Sequence, residues 1–315
     1  MAFRRLESLR FRRLESLRHL SRKTLERNPQ AGRKLRLIAF AVLFMISAAV
    51  FCQRPGMPEC SPQPSLWVPP VSPVSSEAAG VAWSIIVPVF NEEKRVGPTL
   101  AVIEAHMRKR GASCEILVVD DGSTDGTAAL VNREFPEVRL LRNPGNQGKG
   151  YSVRAGMRAA AGRLVLFTDA DLSTPIEEMD RFEKELEGGA DVVIASRALP
   201  DSVLEVRQVW WREMSGRIFN KIVRLLSGLP YADTQCGFKA YTRQAARRIA
   251  GLQRLDGWAF DVEQLHLARL LGLKVREVPV RWLNSPDTRV RFLRDASRMF
   301  KDILRIRWTR YPVER

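Results

Sequence analysis

The chain has 315 residues, 45% of them hydrophobic, with 51 Lys plus Arg against 35 Asp plus Glu and a formal net charge of +16. That length holds one large domain or two small ones with ample apolar material for a core, and the composition excludes disordered, collagenous and coiled-coil chains. Four cysteines (Cys52, Cys60, Cys114 and Cys236) without metal-ligand spacing exclude a disulfide scaffold and argue against zinc.

In chain order, residues 1–36 come first, with twelve Lys/Arg and three Glu. They open on a tandem repeat, FRRLESLR at 3–10 and again at 11–18, too short for a solenoid. The apolar segment 37–53 follows, carrying no charge from Leu37 to Cys52. Its length is roughly 24 Å as a helix, short of the roughly 30 Å hydrocarbon core, although Arg36 and Arg54 can snorkel outward. It reads as a single membrane anchor, and the basic head makes anionic lipid a better partner than nucleic acid. Zinc-finger spacing, basic-plus-heptad patterning and an RNA-recognition aromatic signature are all missing, so no nucleic acid is expected. Residues 54–80 form a semi-rigid linker, with seven prolines between 54 and 74.

From 81 to 288 the pattern alternates. Ser84–Val89, Glu115–Asp120, Val138–Leu141, Leu164–Thr168 and Val192–Ala195 are short apolar runs of the kind that form buried parallel strands. Helical stretches lie between them near 94–110, 126–134, 150–161 and 175–187. Such alternation predicts an α/β sandwich with a mostly parallel sheet, whose ligands bind beyond the carboxyl ends of the strands. Residues 289–315 form a basic amphipathic helix. Arg291, Arg294, Arg298, Lys301 and Arg305 alternate with Phe292, Leu293, Met299, Phe300, Ile303 and Leu304, a pattern expected of a helix lying on anionic headgroups, with a solvated helix packed on the domain as the alternative.

The polar residues worth weighing follow the strands: Pro88 to Glu93, Asp120 to Gly126, and Asp169-Ala170-Asp171. Acidic clusters gathered at three strand ends would repel one another unless a cation or a hydrogen-bonding nucleobase joins them. Asp169 and Asp171 are alternate residues of an extended segment, so both carboxylates face one side and can reach one Mg²⁺ or Mn²⁺, with phosphate oxygens completing the shell. Gly145-Asn146-Gln147-Gly148-Lys149-Gly150 fails the P-loop spacing and is not set as a dinucleotide fingerprint. It is either a plain loop before a helix or a loop lending backbone N–H groups and Lys149 to phosphate.

The ordered set VPVFNEE, VVDDGSTDGT, GKG and TDADLST resembles glycosyltransferase family 2, over residues 83–282. Later stretches, Asp233 to Lys239 (DTQCGFK) and Trp258 to Glu263 (WAFDVE), resemble its dolichyl-phosphate β-glucosyltransferase branch. The resemblance implies a GT-A type nucleotide-sugar-binding fold and inverting transfer of glucose from UDP-glucose to a dolichyl or undecaprenyl phosphate, with another donor or a hydroxyl acceptor as the alternative. It implies that Pro88, Asn91, Glu92 and Asp120 surround uridine, with Asp121, Lys149, Asp169 and Ala170 in the same donor set and Asp169 and Asp171 on the metal. It also implies that Arg197 meets a phosphate. Positive charge is needed to bring two anions together, and Arg197, Arg212 and Lys239 are the candidates. Asp261 remains open between a general base, a group orienting a sugar hydroxyl, and a holder of a basic side chain.

Topology is a conflict. The positive-inside rule puts the N-terminus in the cytoplasm, and a full crossing would export the domain away from a cytosolic donor. A segment too short to span, dipping into one leaflet, leaves the domain on the cytoplasmic face, which is the expectation. Oligomeric state is not legible.

Overall fold

A computed structural model describes residues 80–205, 220–283 and 292–313. The basic head 1–36, the apolar segment 37–53, nearly all of the linker and Arg212 lie outside the described residues.

The central strands are short apolar runs with few polar positions, so burial on both faces is the way to remove them from water. β1 (Trp83–Val89) and β2 (Cys114–Asp120) pair in parallel, β3 (Arg139–Arg142) extends β2 in parallel, and β4 (Leu164–Thr168) flanks the other edge of β1 in parallel. The sheet order is β3-β2-β1-β4-β7-β5-β8, with β5 at Val192–Ser196, β7 at Phe238–Thr242 and β8 at Val275–Pro279. β7 runs antiparallel to both neighbours, while β5 and β8 are parallel to each other. A separate parallel ribbon pairs β6 (Val203–Leu204) with β9 (Arg281–Trp282).

Alternate residues of the sheet feed two cores. Trp83, Ile85, Val87 and Val89 face α1 (Glu93–Arg110), α2 (Thr127–Glu134) and α4 (Met179–Glu187). Ile86, Leu117, Val165 and Phe167 face α3 (Lys149–Ala159), α5 (Arg243–Leu252) and α6 (Phe260–Leu270). Fully buried rings such as Phe182 and Phe238, edge to face at 5.0 Å, stabilise the first core by about 1.5–3 kcal/mol apiece. The expected stretch 175–187 divides into a 3₁₀ turn, Ile176–Glu178, and then α4, with Pro175 setting the entry.

The C-terminal helix α7 (Phe292–Trp308) differs from the expectation of a helix lying on headgroups. Met299, Ile303 and Ile306 are buried in the second core, so that part of the apolar side packs on the domain, while Trp308 is exposed. Among the described residues no helix is long and apolar enough to cross a membrane.

From β1 the chain builds β2 and β3 on one side and later returns to place β4 on the other. β1 and β4 therefore flank a switch point, where the connections part and a crevice opens beyond the strand ends.

Candidate active site

A cavity of about 850 Å³ lies at that crevice. Its first half is built by the loops after β1, β2, β3 and β4. Asn91 takes a positive φ of 54°, which Asn tolerates. Its Oδ1 accepts from Thr124 N at 2.8 Å, and its own N–H donates to Ser123 Oγ at 2.8 Å. Fully buried Asp120 accepts from Ser123 N at 2.8 Å and pairs with Arg142 at 3.2 Å. Asn91 and Asp120 are thus turned into the loops they shape, whereas Pro88, Glu92 and Asp121 line the cavity. Glu92 also holds Arg95 through contacts of 2.6 and 2.9 Å.

Asp121 braces the loop before α3. Its Oδ1 accepts from Asn143 Nδ2 at 2.9 Å and Gln147 N at 3.0 Å, and its Oδ2 accepts from Gly148 N at 2.8 Å. Gly122, at φ +77°, lets this turn press on the same loop: a Cβ there would lie 2.5 Å from the Gly145 backbone. The loop starts directly after β3 and presents Lys149 at the head of α3.

Lys149 Nζ lies 2.6 Å from Asp169 Oδ1 and stands over the rings of Phe167 and Trp258 at 5.4 and 5.3 Å. Burial alone would lower its pKa, but Asp169 and then Asp261 outweigh that and raise it, so the ammonium stays charged. Ala170, between the two acids, is anchored by its carbonyl to Thr99 Oγ1 at 2.6 Å. Asp171 Oδ1 accepts from Ser173 N at 3.0 Å. Gly237 leaves the room that the Asp169 carboxylate occupies, since a Cβ there would come within 2.0 Å of Oδ2.

Asp169 and Asp171 both line the cavity, and no group of three or more His, Cys, Asp or Glu that could hold a metal occurs among the described residues. Two hard oxygen donors without a third suit Mg²⁺ or Mn²⁺ that draws the rest of its shell from water and phosphate, so the residues present fit such an ion.

The second half is assembled from distant segments. Arg197, following β5, pairs bidentately with Asp233: Nε to Oδ2 at 2.7 Å and Nη2 to Oδ1 at 3.0 Å. Burial would lower the Arg197 pKa and raise that of Asp233, but each charge outweighs burial at the other, holding Arg197 above and Asp233 below its ordinary value. The guanidinium stands 5.5 Å from the Trp282 ring, and the Asp233 N–H donates to Glu277 at 2.8 Å. Arg254, Trp282, Arg298, Asp302 and Arg305 also reach the cavity. Sequence reasoning gave none of these a site role. The available signal was the spacing of Arg298 and Arg305, which puts both on one helix face.

Lys239 and Asp261 are elsewhere. Lys239 is 0% exposed, its ammonium contacts the Asp261 carboxylate, and neither residue lines the cavity. Lys239, expected among the cations that meet an incoming anion, is instead committed to a buried pair. Of the three roles open for Asp261, the contact observed is that of holding a basic side chain. Burial pushes the Asp261 carboxyl up, against the pull of Lys239 and Lys149.

This arrangement of strands and site is that of a GT-A-like fold. A solved glucosyl-3-phosphoglycerate synthase from Mycobacterium tuberculosis, in complex with Mn²⁺, UDP and phosphoglyceric acid, shares the fold at 20% identity and a TM-score of 0.54, over 73% of this chain and 78% of that one. The dolichyl-phosphate β-glucosyltransferase of Dictyostelium discoideum is 35% identical over 71% of this chain and 73% of its own length, and one from Trichomonas vaginalis is 34% identical over 74% and 72%. The family model for glycosyl transferase family 2 matches residues 84–250, and the chain belongs to that family. It is a glycosyltransferase.

Proposed function

We propose that this enzyme transfers glucose from UDP-glucose to dolichyl phosphate or a similar polyprenyl phosphate, inverting the anomeric carbon to give a β-linked lipid-phosphate sugar. The observation that carries this reading is one cavity lined by a carboxylate pair, Lys149 and the Asp233-held Arg197. Such a cavity suits two anions, a nucleotide diphosphate and a phosphate nucleophile. The names of the relatives supply the sugar and the lipid.

Lys149 would hold negative charge on the donor, and Arg197, kept charged and oriented by Asp233, would hold the acceptor phosphate. The acceptor oxygen attacks the anomeric carbon as the bond to the UDP phosphate oxygen breaks, and UDP leaves with the electron pair. A phosphate monoester, with a second pKa near 6, is already largely anionic at neutral pH and needs no base. This accords with an Asp261 already engaged by Lys239. Asp169 and Asp171 would hold Mg²⁺ or Mn²⁺, which when bound supplies charge neutralisation for the leaving diphosphate. We further propose that the chain is held at a membrane by segment 37–53, with the catalytic domain on the cytoplasmic face where a cytosolic donor is available.

The test is a donor panel of UDP-glucose, GDP-mannose and UDP-GlcNAc against polyprenyl monophosphates, with an extractable labelled lipid as the readout. UDP-glucose should dominate. Preference for another donor would reassign the sugar, and transfer only to hydroxyl acceptors would overturn the phosphate acceptor.

A further inference from the structure

We infer that Arg298 and Arg305 on α7 form a cationic rim that captures the acceptor phosphate, making the C-terminal helix a working wall of the site. This inference rests on the phosphate-acceptor reading above and extends it to residues beyond 250, where the matched family segment ends.

The geometry begins with helical spacing. Seven residues are about two turns, so the two arginines share one face, with Asp302 between them. All three line the cavity. Both arginines are exposed, while Met299, Ile303 and Ile306 on the adjoining face are buried in the domain. Among the described residues, neither arginine is in an ion pair within 4.0 Å. The face therefore presents two guanidinium groups against a single carboxylate. Arginine's planar fork is suited to bidentate phosphate contacts.

The helix is tied down at its middle and just past its C-terminal end. Gln235 Nε2 lies 3.2 Å from Met299 Sδ, and the N–H of the same Gln235 donates to Asp233 Oδ1 at 3.2 Å. One loop thus joins α7 to the carboxylate that orients Arg197. At the far end the Tyr311 hydroxyl donates to Glu263 at 2.7 Å, and the Glu263 oxygens accept from Arg254 N and Leu255 N at 2.9 and 2.8 Å. Arg254 and Leu255 line the cavity as well. Through Gln235, α7 adjoins the Arg197 half of the cavity, whereas the segments after β3 and β4 carry Lys149 and the acid pair. An anion entering past α7 meets Arg298 and Arg305 on the side of Arg197. The Gln235 loop also reaches Asp169, whose N–H donates to the Gly237 carbonyl at 3.1 Å. The choice of acceptor over donor therefore follows from Arg197 being the acceptor-phosphate group of the reading above. Docking of the same arginines on anionic headgroups would have to use a helix whose Met299, Ile303 and Ile306 are already packed on the domain.

The test uses the full-length protein in neutral-detergent micelles free of anionic lipid, with UDP-glucose as donor and geranyl phosphate as acceptor. The R298Q/R305Q variant should raise the acceptor KM by roughly tenfold, with the UDP dissociation constant changed by less than about twofold. The R298K/R305K variant, which retains charge without the fork, should recover part of the loss and guards against a folding artefact. Added KCl should raise the wild-type acceptor KM and affect the glutamine variant less. An unchanged acceptor KM would overturn the rim while leaving the phosphate-acceptor function standing. A loss falling on UDP binding would reassign the arginines to the donor. A defect seen only on vesicles of anionic lipid would make α7 a headgroup dock instead. A wild-type enzyme that glycosylates hydroxyl acceptors but never geranyl phosphate would remove the function itself and the rim with it.

Discussion

The two halves of the cavity are built by different means. On the proposed donor side, side chains are spent on backbone: Asn91, Asp120 and Asp121 accept from loop N–H groups at 2.8–3.0 Å, and glycines let the loops touch. On the proposed acceptor side, charge is held by charge, as it also is where Lys149 meets Asp169. Arg197 depends on Asp233, and Arg298 and Arg305 arrive on a helix from the end of the chain. A backbone-built half is set by local sequence and should be stiff. An ion-pair half depends on pairings across the fold and should be tunable by pH and salt.

Breaking the donor side at its acids should have the greatest effect. Asp169→Asn or Asp171→Asn should lower kcat by at least roughly a hundredfold, given that each 1.36 kcal/mol is a factor of ten, with the thermal midpoint little changed. Steady-state kinetics with and without EDTA check this, and near-normal turnover in both variants would refute the metal-holding role.

The buried pair beneath the cavity tests structure against chemistry. Asp261→Asn leaves fully buried Lys239 without its partner and should cost about 3 kcal/mol in urea unfolding. The K239M/D261L double variant should recover most of that stability. If the acceptor needs no base, Asp261→Asn should leave the acid limb of the pH–rate profile in place. Loss of that limb without loss of stability would make Asp261 a base after all.

Asp121→Ala should separate the halves. The Gln147 and Gly148 N–H groups lose their acceptor, at about 1–3 kcal/mol, and UDP affinity should fall while the acceptor KM holds. Calorimetric titration with UDP reads the first and acceptor kinetics the second. An equal loss on both sides would mean the halves are not separable.

The smallest effect is on acid stability. Arg197 holds the Asp233 carboxyl below its ordinary 3.8, so as pH falls through that region the unfolded chain takes up the proton first and stability declines. Asp233→Asn removes that group, so its unfolding free energy should fall less steeply below about pH 4 than that of the wild type. Parallel acid slopes in the two proteins would show that the pair contributes nothing to this titration.

Local sequence determined the first half almost completely. Hydrophobic runs marked β1, β2, β4 and β5 to within a residue or so, because a strand buried on both faces must be apolar throughout. The acidic motifs at their ends marked the crevice, because parallel strands point their carboxyl ends one way. Tertiary structure alone decided the rest. β7 (FKAYT) carries a lysine in the core, which becomes intelligible only when α6 brings Asp261 beside it. The basic-apolar period of α7 fits a lipid surface and a protein surface equally well, since amphipathicity records that one face is apolar but not what covers it. Met299, Ile303 and Ile306 pack on the second core, and Arg298 and Arg305 line the cavity. Asp233 reaches Arg197 across 36 positions of chain, a distance over which no periodicity carries information.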